Sequence, residues 1–243
     1  FVYIKGGTYT ITTQLTWTNS GVTVLGAYEG TNAAGPGNFD LTNWPSMLGR
    51  PSGATYTNRI MLVSGVNGGT LGRLSLTNGY FNTAVAATGG CLCVLGSSDL
   101  TLSFLTVAGG AIYSAQPLVA GAGMFIARST NVTLAGCTIR DNTGYCYNND
   151  CIRGVGVYAV GTTLIVTNCS IGNNSGGFYS GGVSWGANGG GLFVQGCQST
   201  VVDTSMEGNY SIGGNNLNVH GGGVYVEGGT NAFRNCLIAG NNN

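Results

Sequence analysis

Two stretches decide the fold: Gly189-Gly-Gly-Leu-Phe-Val194 and, 32 residues on, Gly221-Gly-Gly-Val-Tyr-Val226. Each is a glycine cluster followed by alternating apolar residues. The same cue stands at Gly89-Gly90-Cys-Leu-Cys-Val94 and at Gly154-Val-Gly-Val-Tyr158. Working outward from these anchors gives six matching positions per unit. Leu92, Val94, Leu100, Leu102, Leu105 and Val107 return 32 residues later as Met124, Ile126, Val132, Leu134, Cys137 and Ile139. Next come Val157, Ala159, Leu164, Val166, Cys169 and Ile171, and after them Leu192, Val194, Ser199, Val201, Thr204 and Met206. Val224, Val226, Asn231, Phe233, Cys236 and Ile238 close the series; Met61, Val63, Gly69, Leu71, Leu74 and Leu76 open it. Six units share one register.

Within a unit the apolar positions pair two apart, the period of a strand and not of a helix. Three short strands per unit, three corners, and a return to the same face after about 32 residues describe an all-β parallel solenoid, with turns ~4.8 Å apart. Like positions then stack, and one unit cannot bury its inner face without neighbours. Four units end in an apolar residue, two spacers and asparagine, at Asn142, Asn174, Asn209 and Asn241. Stacked at a corner, their amides are expected to form a hydrogen-bonded ladder. The reading is one β-helix domain over 1–243: an opening turn in 1–25, a loop or insertion in 26–59 around Pro36, Pro45 and Pro51, and six matched turns from 60 onward. The ends lack caps, so the chain reads as part of a longer polypeptide or as a matured subunit.

Composition narrows the class. Only 7% of residues are charged, net charge is zero, and glycine fills 45 of 243 positions against 4 prolines. That excludes a charged disordered tail and collagen, and argues against nucleic acid as a partner. No apolar run reaches the ~18–20 residues of a spanning helix.

The Gly222-Gly-Val-Tyr225 strand and the apolar-x-x-Asn ending resemble the repeats of polymorphic outer-membrane proteins and related pectin-lyase-like right-handed β-helices. The opening Val2-Tyr-Ile-Lys-Gly-Gly-Thr-Tyr9 and Ser20-Gly-Val-Thr-Val-Leu-Gly26 are similar to first turns of secreted β-helix proteins. The resemblance implies a right-handed, single-stranded coil and an extracellular or cell-surface location. Its members include polysaccharide lyases and hydrolases, autotransporter passengers, adhesins and structural surface proteins, so it specifies the coil and not the activity.

An enzyme needs placed acids and bases. The lyases of that resemblance hold calcium with carboxylates on one outer strand face, yet here the outward residues of the first strand are Cys93, Phe125, Tyr158, Phe193 and Tyr225. Asp141 and Glu207, two turns apart at similar corner positions, are candidates for a carboxylate pair. Each also reads as a solvated turn acid beside a ladder asparagine. His220, the one histidine, has no identifiable nucleophile or orienting acid. No metal site or cofactor is expected.

Eight cysteines are many for a reducing compartment. Cys146 and Cys151 form the best candidate disulfide; Cys137 and Cys169, stacked inward, fit either a bond or two buried thiols. Asn131, Asn168, Asn173 and Asn209 lie in glycosylation sequons. Phe125, Tyr158, Phe193 and Tyr225 are expected to stack outward on consecutive turns. Tyr145, Tyr147, Phe178, Tyr179, Trp185 and Tyr210 join them from the variable loops. That array is either covered by the loops as a second minor core or left as a face for sugar rings or another chain. The expectation is a non-catalytic structural or adhesive protein that associates with itself or with neighbouring coil segments, with a glycan or surface ligand as further partner. A polysaccharide lyase or hydrolase and a carbohydrate-binding module are the alternatives.

Overall fold

The computed structural model describes residues 1–30, 35–51, 53–83, 87–114, 119–146, 152–178, 188–212 and 220–242. Among them every named strand pairing is parallel, and the chain winds as a β-solenoid. One unit shows the plan: Leu92–Leu95 on a first face, Ser98–Ser103 on a second, Thr106–Ala108 on a third. The corresponding strands of the described units build sheets of seven, eight and eight strands. No helix is long and apolar enough to cross a membrane among the described residues.

Register follows the sequence count. Leu71, Leu102, Leu134, Val166 and Val201 are paired neighbours along the second face and are wholly buried. Such a column removes apolar surface from water at every rung, worth about 25 cal/mol per Å². The chain leaves the first face at each unit through a left-handed residue with φ of 50–70°: glycine at 65, 96, 161, 196 and 228, and Arg128 in the third unit.

Two expectations need correction. The segment 26–59 is not wholly an insertion. Ser46–Gly49 forms a strand of the third face between Gly7–Thr10 and Leu74–Thr77. The prolines at 36 and 45 mask it, although Ser46 and Leu48 point inward and are buried. Three strands per turn also understates the coil, because the variable loops are themselves ladders. Tyr80–Thr83, Ala111–Ser114, Thr143–Cys146, Ser175–Phe178 and Tyr210–Ser211 form a fourth sheet. Ala87–Thr88, Val119–Ala120 and Ile152–Arg153 form a fifth. Between them Ile112, Val119, Cys146, Ile152 and Val155 make a second small core.

Polar columns close the prism. Asn142, Asn174 and Asn209 are wholly buried. Each Nδ2 donates to the Oδ1 of the next asparagine, at 2.8, 2.9 and 3.0 Å, the last on Asn241. The backbone N–H of Asn142, Asn174 and Asn209 donates to the same oxygens. A second donation from Nδ2 reaches the preceding turn, to Val107, Ile139 and Ile171. The glycine repeat answers this ladder. A Cβ on Gly156 would lie 2.7 Å from Asn174 Nδ2 and 2.6 Å from Gly191 O. Glycine and asparagine together form the neck where each loop leaves the coil.

Candidate functional surface

The outward row of the first face is in register and covered. Phe125, Tyr158 and Phe193 are buried, with ring centroids 5.5 and 5.0 Å apart; half-buried Tyr225 follows at 4.9 Å. Ala120 of the fifth sheet packs in the same cluster. Arg153 Nη1 donates to the Tyr158 hydroxyl at 3.5 Å, and that hydroxyl donates to Gln195 Oε1. Burial pushes the Tyr158 phenol above its usual range, against the lowering effect of Arg153. Phe125, Tyr158 and Phe193 thus pack as a small covered cluster of their own. Tyr147, Tyr179 and Trp185 lie outside the described residues, as does the Phe178 side chain.

A different aromatic row stands on the fourth sheet. Tyr80, Tyr113 and Tyr145 have centroids 5.7 and 5.2 Å apart. The Arg50 guanidinium lies 4.7 Å from the Tyr80 centroid, and Gly177 makes room for the Tyr145 ring at the other end. Ring faces are therefore engaged along the stack, which ties successive loops together. Tyr210 is half-buried on the same sheet, paired with Ser175. Sequence reasoning found Tyr145 and missed its two partners, although Tyr113 stands one repeat of 32 residues before Tyr145 and pairs with it.

The acids do not converge. Asp141 occupies the third corner with φ of 56°, in the column of Asn173 and Gly208, and its carboxylate bridges to Arg140. Glu207 is aligned with Gly172 and Arg140, one residue out of step with Asp141. They are not equivalent positions, because the corner adds one residue beyond the strand. His220 is exposed, with its ring stacked 5.5 Å from Tyr225. Among the described residues no three His, Cys, Asp or Glu side chains gather as metal ligands.

Cysteines serve the corners. Cys137, Cys169, Thr204 and Cys236 occupy one column, and Ser97, Ser129, Thr162 and Cys197 another. Cys137 N–H donates to Cys169 Sγ at 3.4 Å; Cys169 N–H donates to Thr204 Oγ1 at 3.3 Å. Each thiol or hydroxyl donates in turn to the carbonyl two residues back, as Cys169 does to Thr167 and Thr204 to Val202. The thiols replace hydroxyls in a hydrogen-bonded corner. Cys91, Cys93, Cys137, Cys169, Cys197 and Cys236 form no disulfide among the described residues. Burial pushes the Cys91 thiol up to about 12. Shared hydrogen bonding with Cys169, then burial, raises Cys137. The Cys146–Cys151 pairing lies outside the described residues, since Cys151 does. Of the sequon asparagines, Asn131, Asn168 and Asn173 are exposed and Asn209 is wholly buried in the ladder, inaccessible to modification once folded.

One cleft opens on the third face. Leu41, Pro45, Arg73, Ser75, Phe104 and Thr138 are among its lining. Phe104 is 53% exposed although it sits at a left-handed corner position, φ 50°. Comparisons with protein-family models, curated proteins and solved structures return no match to this chain.

Proposed function

We propose that the protein is a non-catalytic structural or adhesive β-solenoid of the extracellular or cell-surface kind. The observation that carries this reading is the commitment of its reactive side-chain types to axial columns. Asparagine amides, corner hydroxyls and thiols each bond to the turn before or after. A chain built this way gains resistance at every rung and presents long faces of Ser, Thr and Asn with few charges. The finer relationship, to pectin-lyase-like or autotransporter repeats, rests on the Gly-Gly-x-apolar-aromatic and apolar-x-x-Asn units alone.

Self-association belongs to the same reading. Ile238 is 50% exposed, while Ile139, Ile171 and Met206 of its column are wholly buried. A neighbouring coil segment or a second copy stacked on that rung would bury it. Sedimentation at rising concentration checks this: larger species are expected, and Ile238→Lys reduces them. Assays of acidic and neutral glycans for new reducing ends or unsaturated products test the function itself. No turnover, with protein-coated beads retained on immobilised glycan, supports the proposal. Turnover lost in Asp141→Ala or Glu207→Ala refutes it in favour of a lyase or hydrolase.

A further inference from the structure

We infer that the cleft on the third face is a carbohydrate site that seats one ring of a neutral hexose chain. Its anomaly is Phe104. Its column holds Arg73 at φ 57° in the unit before it and Gly136, Asn168, Asp203 and Asn235, at φ of 49–62°, in the units after it. Glycine, asparagine and aspartate occupy that region readily; a bulky aromatic residue does so under strain. Strained backbone carrying an exposed side chain points to a use for that side chain.

The surroundings fit the use. One edge of the Phe104 ring rests on Gly136, where a Cβ would come within 2.8 Å of it. Beside the ring run Ser75, Thr106 and Thr138, aligned strand to strand at successive rungs. Their hydroxyls have no hydrogen-bond partner among the described residues. The far wall, Leu41 and Pro45, belongs to the segment fixed by Arg73, whose guanidinium lies 3.6 Å from the Phe39 centroid. An apolar ring beside a row of hydroxyls matches a sugar, which has C–H faces and equatorial hydroxyls, better than it matches a peptide helix. The cleft holds about 160 Å³, below the roughly 300–1,000 Å³ of sites enclosing a whole small molecule. It therefore suits one unit of a chain. The hydroxyl row continues along the axis at Ser170 and Ser205, which gives the neighbouring units a path. Arg73 is the one charged residue in the lining, and no acid is there to repel or select.

This site deepens the adhesive reading by naming its ligand. The test is titration with cellohexaose, laminarihexaose, mannohexaose and chitohexaose, followed by saturation-transfer NMR on the sugar protons. At least one is expected to bind at millimolar concentration or tighter. Phe104→Asn, the residue its column already carries at 168 and 235, should weaken binding roughly tenfold while raising the melting temperature. Ile165→Ala, on the second face, should leave binding unchanged. Failure of all four sugars to bind, or binding indifferent to Phe104→Asn, overturns the site. A melting temperature that falls in Phe104→Asn overturns it too, because the ring would then be structural. Phe104-dependent capture of a phage-displayed random peptide, without sugar binding, overturns it in favour of a protein partner. If the sugars fail while coated beads still adhere, this cleft falls and the adhesive function stands.

Discussion

Replacing Asn174 by alanine tests whether the amide column holds the coil together. Four hydrogen bonds disappear: Nδ2 to Asn209 Oδ1 and to Ile139 O, and the donations from Asn142 N and Nδ2 to Oδ1. The neighbours are not all orphaned. Asn142 Nδ2 keeps Val107 O, and Asn209 Oδ1 keeps the Asn174 N–H. Only the Asn142 N–H is left without a partner among the described residues. With a net ~0.5–1.5 kcal/mol for each of three bonds and ~1–3 for the fourth, whose donor is orphaned, the expected loss is about 3–7 kcal/mol. Asn174→Asp should be worse at neutral pH, since a carboxylate faces two acceptors where the amide donated. Burial raises the folded-state pKa of such an acid above its unfolded ~3.9. The cost is then least in acid and grows as pH rises from the unfolded value through the folded one. Urea unfolding followed by circular dichroism at two pH values reads both variants, with exposed Asn82→Ala expected within ~0.5 kcal/mol of the parent. If Asn174→Ala cost no more than Asn82→Ala, or Asn174→Asp showed no pH dependence, the ladder would not be a stabilising element.

Gly156→Ala should lose about 1–3 kcal/mol in the same urea assay, because its Cβ meets Gly191 O and the Asn174 amide. Gly161→Asn should change stability far less, since φ of 54° suits asparagine and nothing lies within 4 Å. Cys169→Ser, which keeps a donor and an acceptor at the corner, should fold with a loss below ~1 kcal/mol, whereas Cys169→Val should lose ~1–3 by orphaning the Cys137 N–H. A thiol reagent at pH 8 should modify Cys236 before Cys91, whose burial and pKa of about 12 protect it. Asp40 accepts from the Asn43 and Thr42 N–H groups, which hold its pKa below the ordinary 3.8. Its stabilisation of the 40–45 wall is present above that value and lost as pH falls through the lowered one; limited proteolysis of that segment should accelerate there, and Asp40→Ala should remove the pH step.

How much of this was legible follows from which positions repeat. Leu102, Leu134 and Val166 could be aligned by counting, because an inward column fixes residue type and spacing at every turn. Asn142, Asn174 and Asn209 were legible for the same reason: a buried amide in a corner admits few substitutes. Cysteine defeated the reading, since hydropathy scores Cys137 and Cys169 as apolar while the corner uses them as hydroxyl equivalents beside Thr204. Asp141 and Glu207 were paired one residue out of step: Ile139 and Met206 share a column, which sets Glu207 opposite Arg140, while φ of 56° puts Asp141 at the corner beyond the strand. Ser46–Gly49 hid behind prolines that end one turn early. The fate of the Phe125–Tyr158–Phe193 row depended on Ala120 and Arg153, which pair in the short fifth sheet where no apolar alternation announces a strand. Periodic sequence thus specifies the prism, and aperiodic sequence decides which of its outer faces remain open. Phe104 stands between the two: it occupies a left-handed corner of the periodic coil, and the aperiodic wall of Leu41 and Pro45 makes a cleft beside it.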